Sequence, residues 1–138
     1  MEFTRRDTLA LGLGAAALAV LPISAYATTE EATMAFTGGA DVAEGGVDLT
    51  APEIAENGNT VPISVAAPGA VSIMILATGN PDPNVATFNF GELSASTAAS
   101  TRIRLAGTQD VVAIAKMADG SFAKASSLVK VTIGGCGG

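Results

Sequence analysis

The chain has 138 residues, 14% of them charged and 4% aromatic, with a net charge of −6 and neither histidine nor tryptophan. That length holds one domain and a leader. Without histidine, and with a single cysteine, the chain can build neither a His/Cys zinc site nor a Cys–His nucleophile pair, and its acidic balance argues against nucleic acid.

Residues 1–27 read as an export signal. Thr4-Arg5-Arg6-Asp7-Thr8-Leu9 precedes an apolar run from Leu9 to Leu21, Pro22 ends that run, and Ala25-Tyr26-Ala27 offers a small-x-small site. This is the three-part layout of a bacterial signal peptide, with cleavage expected after Ala27. The run is shorter than the roughly 20 residues a spanning helix needs, so no stable membrane span is expected. Arg5 and Arg6 resemble the twin-arginine type, whose cargo crosses already folded, although Thr8 stands where an aromatic is usual. The general secretory route leads to the same compartment, the periplasm. Losing the leader leaves the net charge unchanged, because Arg5 and Arg6 balance Glu2 and Asp7.

Residues 28–133 form the expected domain. Thr28 and Glu31 stand at capping-box spacing for a short helix from Thr28 to Phe36, with Met34 and Phe36 available for docking and Gly38-Gly39 to stop it. From Val47 onward the apolar period becomes two, the mark of half-buried strands. Val61, Ile63 and Val65 alternate with Pro62 and Ser64, and Pro62 predicts an edge strand. Pro68-Gly69 marks a turn. Val71 to Leu76 is apolar on both faces, as in a central strand covered on both sides. The stretch Gly79-Asn80-Pro81-Asp82-Pro83-Asn84 reads as a rigid loop. Ala86, Phe88 and Phe90 then share a face. In Thr101-Arg102-Ile103-Arg104-Leu105 the aliphatics point inward and the two arginines outward, either as a solvated face or as a grip for an anion. Val111 to Met117 is a further strand, Asp119-Gly120 a hairpin turn, and the return passes Phe122 to end at Leu128–Ile133. About seven short strands with little helix predict an all-β, immunoglobulin-like antiparallel β-sandwich.

Residues 134–138 are the expected arm. Gly134, Gly135, Gly137 and Gly138 surround Cys136, the only cysteine. Four residues without a Cβ around one thiol predict a flexible hook that enters narrow channels. Three extended steps from Ile133 to Cys136 reach about 10 Å. A frayed end with an incidental cysteine is the plain alternative.

The ending Val129-Lys130-Val131-Thr132-Ile133-Gly134-Gly135-Cys136-Gly137-Gly138 resembles SoxY, the sulfur-carrier family of the bacterial thiosulfate-oxidising (Sox) system. Ala51-Pro52-Glu53-Ile54-Ala55-Glu56-Asn57-Gly58, Thr101 to Ala106, and Met117 through Asp119-Gly120-Ser121 are similar to the same family. The resemblance implies that Cys136 is the covalent attachment point for sulfur, in a carrier that is not itself an enzyme. A c-type cytochrome would join thiosulfate to the thiol, a hydrolase would release sulfate, and a molybdenum-haem sulfane dehydrogenase would oxidise the sulfur left behind. It implies a heterodimer with a SoxZ-like subunit, with no cofactor or metal on this chain beyond the sulfur adducts of Cys136. An unperturbed thiol is only about 3% ionised at pH 7, so activation is expected inside the partner's site.

Two other readings carry their own signatures. A ubiquitin-like sulfur carrier would use the carboxylate of Gly138 and would need a long helix packed on a sheet. A structural sandwich would dimerise through Cys136.

Overall fold

The computed structural model describes residues 28–135. Thr28 caps a helix, α1, over Thr29–Thr37, and both halves of the capping box are made. The Thr28 hydroxyl accepts from the Glu31 N–H at 3.1 Å, and the Glu31 carboxylate accepts from the Thr28 N–H at 2.9 Å. Gly38 ends the helix at φ 65°, a conformation that glycine adopts without steric cost.

Nine strands follow: β1 (Val42–Glu44), β2 (Asp48–Thr50), β3 (Ile54–Ala55), β4 (Val61–Ala66), β5 (Ala70–Ala77), β6 (Asn84–Asn89), β7 (Ala98–Ile103), β8 (Gln109–Met117) and β9 (Phe122–Val131). They form two sheets. The larger runs β1-β9-β8-β5-β6, with β3 also on β9, and the smaller runs β2-β4-β7. The core between them takes Val61, Ile63 and Val65 from one sheet and Ile73, Ile75, Val111, Ala113 and Val129 from the other. This is the expected immunoglobulin-like sandwich, built from period-two alternation.

The double-sided apolarity of β5 has a clear cause. Ile73 and Ile75 enter the main core, while Met74 and Leu76 enter a second cluster with Ile114 and Phe122, roofed by Ala32 and Phe36 of α1. The rings of Phe36 and Phe122 meet edge to face at 5.9 Å. Of the two residues expected to dock the helix, Phe36 does so and Met34 does not; Met34 is exposed. Ala32 and Phe36 are four apart on one face, and Met34 lies two positions from each, on the other side.

Two other expectations are corrected. β4 is the middle strand of its sheet, not an edge, since β2 and β7 pair on either side. Pro62 is tolerated because β2 ends opposite Ser64, leaving no partner on that side to miss its N–H. The sandwich is not wholly antiparallel: β1 pairs β9 in parallel at Val42↔Phe122, and β3 does so at Ile54↔Lys130. Between these two contacts the chain crosses to the smaller sheet as β2, so one strand edge is lined by two separate short strands. The last strand is one continuous ten-residue element.

Candidate functional site: the seat of the C-terminal segment

Beyond β9 the chain runs between two loops. On one side lie residues 55–58, where Thr132 donates to the Ala55 carbonyl at 3.0 Å and the Gly58 N–H donates to the Ile133 carbonyl at 2.7 Å. On the other side lie residues 105–107. Leu105 links the two sides: its N–H donates to the Gly58 carbonyl at 2.8 Å, and its carbonyl accepts from the Gly135 N–H at 2.8 Å.

Three glycines make this crossing possible, and none of them has a positive φ. Their shared requirement is space. A Cβ on Gly58 would collide with the Leu105 carbonyl and lie 2.8 Å from the Gly135 nitrogen. A Cβ on Gly134 would collide with the Ala106 carbonyl, and one on Gly135 would lie 2.9 Å from the Gly58 carbonyl. Gly135 is buried.

The expected arm, 134–138, begins in this seat. Its glycines are expected to be mobile, because glycine permits many backbone conformations. The same missing Cβ also permits close backbone approach, and that is its use here. Cys136, Gly137 and Gly138 lie outside the described residues, as do Arg5, Arg6 and the cleavage site after Ala27.

Two residues that the sequence did not single out hold the second loop. Asn80 and Gln109 are 7% and 6% exposed. The Asn80 Nδ2 donates to the Arg104 carbonyl at 2.8 Å, and its Oδ1 accepts from the Ala106 N–H at 2.9 Å and from Gln109 Nε2 at 2.9 Å. Gln109 Nε2 also donates to the Gly107 carbonyl at 3.0 Å, while its Oε1 accepts from the Gly79 N–H at 2.9 Å. Buried amides are costly unless satisfied, and no buried side-chain N or O among the described residues lacks a partner. In the sequence Asn80 reads only as part of a rigid loop. Its meeting with Gln109, 29 residues away, leaves no periodic trace.

Arg102 and Arg104 point outward as expected and line a shallow hollow with Asp82 and Asn84. The one ion pair among the described residues joins Lys124 to Glu44, at 3.1 Å, so neither arginine is paired to a described carboxylate. The described residues contain no cluster of three His, Cys, Asp or Glu that could hold a metal. No described helix is long and apolar enough to cross a membrane.

Fold and seat together define an immunoglobulin-like β-sandwich that secures its C-terminal segment against two of its own loops just short of a terminal thiol. The family described as "Sulfur oxidation protein SoxY" matches residues 33–136, and the chain belongs to it. The sulfur carrier protein SoxY from Chlorobium limicola f. thiosulfatophilum is 36% identical, with a TM-score of 0.66, over 75% of this chain and 96% of that one. A superoxide reductase (neelaredoxin) from Ignicoccus hospitalis shares the fold alone, at 15% identity and a TM-score of 0.56, over 63% of this chain and 80% of that one. Comparison with curated proteins finds no match.

Proposed function

We propose that this protein is a periplasmic sulfur carrier that holds thiosulfate-derived sulfur on Cys136 and presents it to the other proteins of thiosulfate oxidation. The observation that carries this reading is the placement of the seat. The sandwich guides its C-terminal segment out to one point, and the next residue in sequence is the only cysteine of a chain in the SoxY family.

The chemistry asks little of the carrier itself. The Cys136 thiolate and the outer sulfur of thiosulfate join in an S–S bond, and two electrons pass to a c-type cytochrome partner. Water then attacks the terminal sulfone in a hydrolase, sulfate leaves, and a persulfide stays on Cys136. A sulfane dehydrogenase oxidises that sulfur to a sulfonate, with water supplying the oxygens, protons released to solvent and the electrons passing to a haem acceptor. A second hydrolysis returns the thiol. Each step takes place in a partner's site, so the carrier's part is to attach, present and release.

A heterodimer with a SoxZ-like subunit belongs to the same reading. Three large aliphatic side chains are exposed near the seat: Ile54 (59%), Leu128 (52%) and Ile133 (66%). Ile54 and Leu128 share the outer face of the larger sheet through the Ile54↔Lys130 register. Exposed aliphatics grouped in this way support a protein contact there.

Intact-mass measurement of periplasmic protein from thiosulfate-grown cells tests the reading. It is expected to show a chain beginning at Thr28 and carrying added sulfur that a reductant removes. A permanent disulfide dimer on a non-reducing gel, with no such adduct, would favour the structural alternative. The ubiquitin-like alternative is disfavoured by the fold, since the described residues have one nine-residue helix beside two packed sheets.

A further inference from the structure

We propose that Asn80 and Gln109 are positioning residues for Cys136: through the 104–107 loop they hold the seat that receives Gly134 and Gly135, so the thiol leaves from one fixed point and gains its full reach only when the seat opens. This rests on Cys136 being the sulfur-bearing residue.

The linkage is short at every step. Asn80 bonds to the backbone of Arg104 and Ala106 and to Gln109, and Gln109 bonds to the backbone of Gly107. These contacts bracket Leu105, whose N–H is committed to Gly58 and whose carbonyl is committed to Gly135. A shift of Leu105 therefore breaks both sides of the seat at once. Gly79, whose N–H donates to Gln109, anchors the pair to the β5–β6 loop from the opposite side.

The consequence for reach follows from chain geometry. A chain held at Gly135 allows only one further step, about 3.8 Å, to the next Cα. With the seat open and the chain free after Ile133, the same atom reaches about 10 Å. A chain held at Gly135 has the shorter reach, and only an open chain suits a deep, narrow site. One backbone hydrogen bond closes the last residue of the seat, so a partner that offers its own contacts to the glycine backbone can open it.

The test uses the full chain and two readouts. The first is amide hydrogen exchange at Gly135, with Ile75 and Ile114 as core controls. The second is the rate of Cys136 alkylation by iodoacetamide and by a bulky dye-linked maleimide. In the unaltered protein the Gly135 amide is expected to be protected at least about tenfold relative to a free peptide. Asn80→Ala leaves the Arg104 carbonyl and the Ala106 N–H unpartnered, while Gly134→Ala strikes the Ala106 carbonyl directly and leaves the amide pair intact. Each is expected to abolish protection at Gly135 while the core amides stay protected, and to raise the maleimide-to-iodoacetamide rate ratio severalfold.

If Asn80→Ala does not fold, Gln109→Glu is read in the same way, since it keeps an acceptor for Gly79 and removes both donors. An unprotected Gly135 amide in the unaltered protein overturns the proposal. So does full protection in a folded Asn80 or Gln109 variant. Whether sulfur is carried at Cys136 is read separately, by intact mass. A protected Gly135 without sulfur adducts would sink the carrier reading and leave the seat standing, and adducts on a chain with no protection would do the reverse.

Discussion

At Gly58, Gly134 and Gly135 the absent side chain makes room for three backbone segments to cross within hydrogen-bonding distance. At Gly38 and Gly120, with φ 65° and 86°, the same residue type instead supplies a left-handed turn. A run of letters does not distinguish the two uses. Cys136, by contrast, is singled out by composition alone, and Cys136→Ser is expected to leave the unfolding free energy from urea titration within about 0.5 kcal/mol of the parent. The same variant is expected to lose all thiosulfate-dependent cytochrome reduction in a reconstituted system, and substantial residual reduction would place the sulfur elsewhere. Asp119 offers a pH prediction. The Ser121 hydroxyl and N–H both donate to its carboxylate, at 2.6 and 2.9 Å, and hold its pKa below the ordinary 3.8. A depressed carboxylate pKa stabilises the fold above the unfolded value, and that contribution is lost as pH falls through the folded value. Asp119→Asn is therefore expected to be less stable than the parent at pH 5–7, with the gap closing below about pH 3.8. Unfolding curves across that range, with an NMR titration of Asp119, check it.

On the scale of single elements, α1 shows how a helix of nine residues persists. Its intrinsic stability is marginal at that length, so its place depends on the capping box at one end and on Phe36 packed against Phe122 at the other. Phe36→Ala is expected to cost about 2 kcal/mol, less than for a fully buried ring because Phe36 is only partly covered. Chemical denaturation gives the value, and protease cleavage within 29–40 in the folded variant would show that the helix has come away. β9 teaches a different lesson. Its alternation is plain in the sequence, yet its outer edge is shared by β1 and β3, two strands of three and two residues running parallel to it. Strands that short carry no periodic signal, and parallel pairing between such distant segments has no local signature. Pro62 misled for a related reason, because its missing N–H matters only where a neighbour is present to need it.

For the molecule as a whole, the larger sheet is covered by the smaller sheet on one face and by α1 over part of the other. Ile54 and Leu128 lie on that second face, and Ile133 lies where the chain leaves the sheet. The reading of residues 1–27 as a leader meets the structure at Thr28. Cleavage after Ala27 would turn the Thr28 N–H into an ammonium group facing Glu31, with Glu30 beside it in the first turn. The capping box would then survive processing as a charge-assisted contact. N-terminal sequencing of exported protein is expected to begin at Thr28, and a chain that still begins at Met1 would overturn the location. Replacing Arg5 and Arg6 together with lysine is expected to stop export by the twin-arginine route, and unchanged export would indicate the general secretory one.

The sequence by itself determined the sandwich, the capped helix, the outward arginines and the Asp119-Gly120 turn. Each of these is written in local periodicity or in fixed short spacings, and the family resemblance lay in contiguous motifs. Only the tertiary structure decided that β4 is central, that β1 and β3 share an edge of β9, and that the last strand leads into a seat. The seat depends on Gly58, Asn80, Leu105, Gln109 and Gly135 meeting across up to 77 positions of chain. Long-range backbone contacts of this kind are set by how the two sheets bring their loops together, a relation that no short window of residues contains.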